Sequence, residues 1–162
     1  MNTTEKKIIG LLKADSRRSY DDIATLLGIS CEEAQRAVEK LESSGVIVKY
    51  TTITDDAAYE SDKVQAMIEV KVTPQKSKGF DAIAEQICAY SEVKSLYLMS
   101  GSYDLTVVIE GKSLKEVSLF VSEKLSAIES VTATATHFIL KKYKVEGVNT
   151  SKNISGRLPV QP

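Results

Sequence analysis

A chain of 162 residues, 43% hydrophobic and 27% charged, has the size of one ordinary domain or two small ones and the composition of a soluble globular protein. Its formal net charge of −1 supplies no whole-chain attraction to phosphate, so any grip on nucleic acid must come from a local patch. No apolar run approaches the roughly 18 residues of a membrane span, the opening MNTTEKKIIG lacks a basic-then-apolar leader pattern, and the two distant cysteines, Cys31 and Cys88, read as free thiols of a reducing cytoplasm.

The first fifty residues predict three helices. Ile8, Ile9, Leu11 and Leu12 recur at helical spacing after the polar Asn2-Thr3-Thr4. Ser19 with Asp22 fits a capping box ahead of Ile23, Ala24, Leu26 and Leu27. Ser30 with Glu33 repeats the device ahead of Ala34, Ala37, Val38 and Leu41, and Gly45 provides a left-handed stop. The second and third helices, joined by a tight turn at Gly28, have the layout of a helix-turn-helix, whose second helix enters the DNA major groove. Val46, Ile47, Val48, Tyr50 and Ile53 follow as an extended segment.

The polar stretch DDAAYESDK, residues 55–63, marks a boundary, after which the period changes. Val64, Ala66, Ile68, Val70 and Val72 alternate with Gln65, Met67, Glu69 and Lys71, a strand with one buried face, ended by Pro74. Phe80, Ile83, Ala84 and Ile87 mark a helix, with Cys88 read as part of its core face. Residues 93–99 and 105–109 are strands around the turn Ser100-Gly101-Ser102-Tyr103-Asp104. Leu114, Val117, Phe120, Val121 and Leu125 give another helix, and residues 131–140 a last strand. The order β-α-β-β-α-β is the ferredoxin-like plan, with both helices on one face of an antiparallel sheet. The other face needs a cover, and a partner chain is the economical one. The expected fold is therefore α+β. It has a helix-turn-helix, winged-helix-like domain over residues 1–50, a linker over 51–62, a ferredoxin-like βαββαβ domain over 63–146, and a tail over 147–162 expected to be disordered.

This order of elements resembles the Lrp/AsnC, or feast/famine, transcriptional regulators over roughly residues 2–145. The likeness is carried by Ile8 to Leu12, Asp15-Ser16-Arg17, Ile23-Ala24, Gly28-Ile29-Ser30 and Leu41-Glu42-Ser43-Ser44-Gly45-Val46-Ile47. In the second half it is carried by Gly101-Ser102-Tyr103-Asp104-Leu105 and Thr134-x-Thr136. The resemblance implies dimers formed through the second domain's sheet, further assembly to octamers, and an amino acid or related effector bound between dimers. It implies double-stranded DNA as partner and no cofactor.

For DNA, the candidate residues are Arg17, Arg18, Ser30, Glu32, Gln35, Arg36, Lys40 and Lys49. Arginine can pair with guanine, glutamine with adenine and glutamate with cytosine, while the remaining cations suit phosphate. The family's recognition helix usually starts Ser-Pro and is basic; here Cys31 replaces the proline, and Glu32 and Glu33 fill the first turn, where they also favour the helix start electrostatically. Residues 1–50 carry eight basic and eight acidic side chains, so affinity per subunit is expected to be modest and multivalency to compensate.

For the effector, the candidates are Ser100, Gly101, Ser102, Tyr103 and Asp104, with Thr132, Thr134 and Thr136. Glycine lets a carboxylate approach the backbone, and Asp104 suits an ammonium group. The residues alone also fit a plain connecting turn, with Asp104 bonding backbone and the threonines as solvated strand formers; the resemblance favours the effector loop. His137, the single histidine, reads as a strand residue with a structural partner, and no metal site is expected. Acidic neighbours argue against a reactive thiolate at Cys31.

Two other functions compete. One is a ligand-binding or protein-interaction module that has lost DNA binding. The other is an enzyme of the sirohaem decarboxylase type, which resembles these regulators but calls for a basic, histidine-bearing pocket that one histidine does not supply.

Overall fold

The computed structural model describes residues 1–55, 63–73 and 79–150. The chain forms two compact units, Met1–Ile53 and Thr54–Pro162.

Unit 1 is three helices: α1 (Thr3–Ala14), α2 (Tyr20–Leu27) and α3 (Cys31–Ser43). Each starts with a reciprocal capping box, in which a short polar side chain and an acid three residues on satisfy each other's amides. The pairs are Asn2–Glu5, Ser19–Asp22 and Ser30–Glu33. Ile8, Leu12, Ile23, Ala24, Ala34, Val38 and Leu41 form one buried cluster. Gly28, at φ 65°, reverses the chain between α2 and α3, a left-handed conformation that costs glycine little. After α3, the amides of Val46 and Ile47 both donate to the Leu41 carbonyl, at 3.0 Å each. The start of the segment expected to be extended thus closes back on the helix end, and no strand forms over residues 48–53.

Unit 2 begins with β1 (Val64–Val72), followed by α4 (Asp81–Cys88), β2 (Val93–Leu98) and β3 (Leu105–Gly111). Helix α5 (Leu114–Leu119) runs into a π-helical turn over Phe120–Leu125, and β4 (Val131–Phe138) completes an antiparallel sheet of order β2-β3-β1-β4. Ala66, Ile68, Val70 and Val72 of β1 pack with Leu105, Val107 and Ile109 against Ile83, Ile87, Val117, Phe120 and Leu125. The ferredoxin-like plan stands as expected, with the helices' apolar residues on one face of the sheet.

Four details differ from the sequence reading. The helix expected over 114–125 changes pitch midway, from α to π: Ser126 donates to the Val121 carbonyl at 2.8 Å, a five-residue step, and both Phe120 and Leu125 are buried. Cys88 is exposed, because Ile83 and Ile87 occupy the core stripe and the next position turns away. Thr134 and Thr136 stand opposite Val70 and Ile68, so they share the helix-covered side at the sheet's edge. The tail does not start at 147: β5 (Lys144–Val145) and β6 (Val148–Asn149) pair as a hairpin, and Thr150 is buried. The rest of that expected tail, Pro74 and most of the expected linker lie outside the described residues.

Ile68 has no exposed surface and sits between two paired strands. Ile68→Ala should therefore cost about 2–5 kcal/mol in urea unfolding; a loss below 1 kcal/mol, on the order of a surface change, would contradict this placement of the core.

Candidate nucleic-acid interface and ligand loop

Burial of Ala34, Val38 and Leu41 fixes which side of α3 faces out. Cys31, Glu32, Gln35, Glu39 and Lys40 are exposed there, and Arg36 stands one turn beyond Glu32. Glu32, Gln35 and Arg36 thus fall on one face, three and four residues apart. Arg36 Nε donates to the Glu32 carbonyl at 3.3 Å, which anchors the root of the guanidinium and leaves its terminal donors facing outward. Gln35 Nε2 donates to Glu39 Oε1 at 2.8 Å.

The other sequence candidates have different surroundings. Ser30 is occupied as the cap, accepting the Glu33 amide at 3.1 Å, while Glu33 accepts the Ser30 amide at 2.9 Å. The Ser30 backbone amide first, and then the Ser30 hydroxyl, hold the Glu33 carboxyl below the usual range. Lys40 is paired with Glu5 of α1 at 2.9 Å. Arg17 is exposed in the α1–α2 connection; its backbone amide donates to Asp15 Oδ1 at 3.0 Å. Arg18 is half-buried, with an enclosed Nε that has no partner. Lys49 is exposed after α3. The exposed Cys31 thiol is pushed up, chiefly by its hydrogen bond to Asp21 and in small part by the Glu32 charge, so it is a poor nucleophile; of the two following acids expected to oppose a thiolate, Glu32 contributes.

Glu5 was not among the sequence candidates. It is 4% exposed, accepts the Asn2 amide at 2.7 Å and binds Lys40 across 35 residues. Its only local signal was the Asn-x-x-Glu spacing. Glu39 was missed as well, although the four-residue spacing from Gln35 could have found it.

In unit 2, the turn between β2 and β3 is tied to the end of β1. The Met99 amide donates to the Asp104 carbonyl at 2.8 Å, and the Asp104 amide donates to the Val70 carbonyl at 3.1 Å. Asp104 Oδ2 accepts the Val72 amide at 2.9 Å. The carboxylate therefore finishes the sheet's hydrogen bonding where β1 outruns β3. On the other side of β1, Thr132 Oγ1 donates to the Lys71 carbonyl at 3.1 Å. Asp104 and Thr132 thus meet the same strand end from its two flanks, while Thr134 and Thr136 lie progressively farther along β4. Ser100, Gly101 and Ser102 are exposed and Tyr103 is half-buried. No atom lies within 4 Å of where a Gly101 side chain would start, so the loop's backbone stands open. Exposed Leu98 and Met99 flank it.

His137 Nε2 lies 3.3 Å from Glu69 Oε2 across the sheet, the structural partner that was expected. Among the described residues no group of three metal-ligating side chains forms, and no helix is long and apolar enough to cross a membrane.

Comparison with known proteins agrees with both halves. Residues 65–148 match the Lrp/AsnC ligand binding domain, and residues 1–48 match a winged helix-turn-helix DNA-binding domain. The uncharacterized HTH-type transcriptional regulator YugG of Bacillus subtilis is 47% identical over 91% of this chain and 90% of its own length. The leucine response regulatory protein LrpA of Mycobacterium tuberculosis superposes with a TM-score of 0.72 at 22% identity, covering 93% of this chain and 100% of that one. The NMB0573/L-Met complex of Neisseria meningitidis superposes with a TM-score of 0.68 at 23% identity, covering 90% and 93%.

The Glu5 carboxyl is held below its usual value, first by the hydrogen bond from Lys40 and then by that from the Asn2 backbone. A carboxyl lowered on folding stabilises the fold above its unfolded pKa of about 4.3, and that contribution is lost as pH falls through the lowered folded value. The melting temperature should therefore fall between pH 5 and 3, and Lys40→Met should flatten the fall. Parallel profiles for the two proteins would show that the pair adds nothing to stability.

Proposed function

The chain belongs to the Lrp/AsnC family, as a helix-turn-helix transcriptional regulator with a ligand-binding domain and not an enzyme, and from that premise we propose how it reads DNA, what it senses and how it assembles. The observation that carries the DNA reading is the outward face of α3. Glu32, Gln35 and Arg36 are presented together on a helix whose opposite side is fully packed. Arg36 reads guanine through its free terminal donors. Gln35 reads adenine, and Glu32 accepts from a cytosine amino group. Arg17, Arg18 and Lys49 touch phosphate. Ser30 sets the start of the helix, and Lys40 contacts phosphate only by sharing its charge with Glu5.

The effector is an amino acid or a close relative, taken up at the Ser100 to Asp104 loop. The L-Met in the Neisseria meningitidis neighbour supports that class of ligand. Ser100, Gly101, Ser102 and Tyr103 make the contacts with it. Asp104 holds the loop in place with one oxygen committed to Val72. Thr132 braces the far side of β1, and Thr134 and Thr136 line the adjoining edge.

A second copy of the chain covers the sheet face opposite the helices. Register places Gln65, Met67, Glu69 and Lys71, Thr106, Val108 and Glu110, and Ala133, Ala135 and His137 on that face. Met67 is 41% exposed there, an apolar residue at the centre of a strand. Dimers built this way assemble further to octamers with the effector between them. The protein works in the cytoplasm, where its DNA is.

Three experiments test this reading. In fluorescence anisotropy on the duplex upstream of its own gene, Arg36→Ala should weaken binding by about 1–3 kcal/mol and relax the preference at one base pair. Unchanged affinity and preference would remove α3 from the role of reader. In light scattering, the full chain should have a mass of at least twice 17.7 kDa, and Met67→Lys should lower it. A thermal-shift screen of the twenty amino acids should raise the melting temperature with one or a few of them. A monomeric mass, or a flat screen, would contradict the assembly or the effector class respectively.

A further inference from the structure

The balanced charge of the whole chain hides an asymmetry. Residues 139–162 contain five basic side chains (Lys141, Lys142, Lys144, Lys152 and Arg157) against one acid, Glu146, while residues 1–138 contain sixteen basic and twenty-one acidic. The described part of that basic segment is a built element. Lys144 and Val145 pair with Asn149 and Val148 around a two-residue turn, with Glu146 at φ 46° and Gly147 at φ 83°. Two successive positive φ values are the hairpin turn that matches strand twist. Buried Thr150 then locks the hairpin to what precedes it. Its amide donates to the Tyr143 carbonyl at 3.1 Å, and its hydroxyl to the Lys142 carbonyl at 2.9 Å.

Lys141, Tyr143, Lys144, Glu146 and Val148 of this element are exposed, while Lys142 and Val145 are half-buried. Lys141 Nζ lies 5.0 Å from the centre of the Tyr143 ring, and Tyr143 is 58% exposed. Among the described residues neither Lys141 nor Lys144 is held in an ion pair, whereas Lys40, Lys63 and Lys124 are each bound to a glutamate. A cation resting on an aromatic ring keeps its charge available to an anion.

We infer that the basic hairpin over residues 140–149 is a second DNA-contacting element, binding phosphate without reading bases. The inference rests on the chain's function as a DNA-binding regulator. It answers a shortage of free positive charge in unit 1, which carries eight basic against eight acidic residues, with Lys40, the cation on α3 nearest Arg36, paired with Glu5. A polyanion held by a neutral reading unit needs cations from elsewhere in the chain.

The test compares wild-type full chain with the Lys141→Ala/Lys144→Ala double variant on the duplex upstream of its own gene, in anisotropy titrations from 50 to 200 mM salt. Both side chains are outside the core, and circular dichroism checks that the variant folds. The slope of log affinity against log salt should become shallower by about 0.9 for each phosphate contact removed, or about 2 for the pair on each bound chain. Base preference should stay as it was, and Lys141→Arg/Lys144→Arg should restore the slope. An unchanged slope and affinity would overturn the inference. So would loss of binding to vesicles of anionic phospholipid with the DNA slope unmoved, since that would make the element a membrane contact. Failure of the wild type to bind the duplex at 50 mM salt would overturn the DNA reading of α3 together with this inference, an outcome distinct from a variant that binds like the wild type.

Discussion

Strand β1 is the element on which unit 2 depends. It pairs along its length with β3 on one side and β4 on the other. Its alternate residues Ala66, Ile68 and Val70 have no exposed surface. A period of two fixes one face of the sheet as core and leaves the other outward, and a one-residue slip would exchange them. The candidate ligand loop depends on the same strand. Asp104 is anchored at Val70 and Val72, and Thr132 at Lys71, so the loop's position is set by where β1 ends. On the proposed reading, a ligand held by this loop would act on the strand that organises both the core and the open face, a short physical route from effector binding to assembly.

Unit 1 solves a different problem with little material. Three helices of 12, 8 and 13 residues are too short to be stable alone. Each therefore begins with a capping box, and one small cluster of seven buried side chains joins them. The acids used for capping, Glu5, Asp22 and Glu33, are three of the eight that cancel the eight basic residues of the DNA-reading unit, and Glu5 also engages Lys40 directly. Stability of the helix starts is thus obtained at the expense of electrostatic attraction to phosphate. The proposed reading by Arg36 and Gln35 would then need support from contacts outside the helix and from the joining of several reading units in one assembly.

Much of this was legible in the sequence because it is periodic. The β1 alternation, the helical spacing in α1 to α3 and two of the three capping boxes stand where the residues put them. What was not legible depends on partners far apart in the chain or on small departures from ideal geometry. Nothing near Glu5 announces Lys40, and nothing near Asp104 announces the Val72 amide. Cys88 looks like core because it follows Ile87, but one residue on a helix is a turn of about 100°. The π-helical turn at Phe120 was hidden because an apolar list at 114, 117, 120, 121 and 125 also fits a regular helix. Of the candidate site, the sequence identified the exposed face of α3 and the Gly101 loop. It read Ser30 as a cap and left Asp104 open between ligand and backbone, and the structure shows the polar atoms of both used within the fold.

The central claim is that a reading unit with no net charge functions through repetition, in an assembly that sets several copies of α3 against one duplex. Footprinting of the full chain on the DNA upstream of its own gene tests this most directly. The account predicts several protected patches on one face of the duplex, recurring at about one helical turn, 10–10.5 base pairs, or its multiples, and appearing together over a narrow range of protein concentration. A single protected patch that fills non-cooperatively would contradict it.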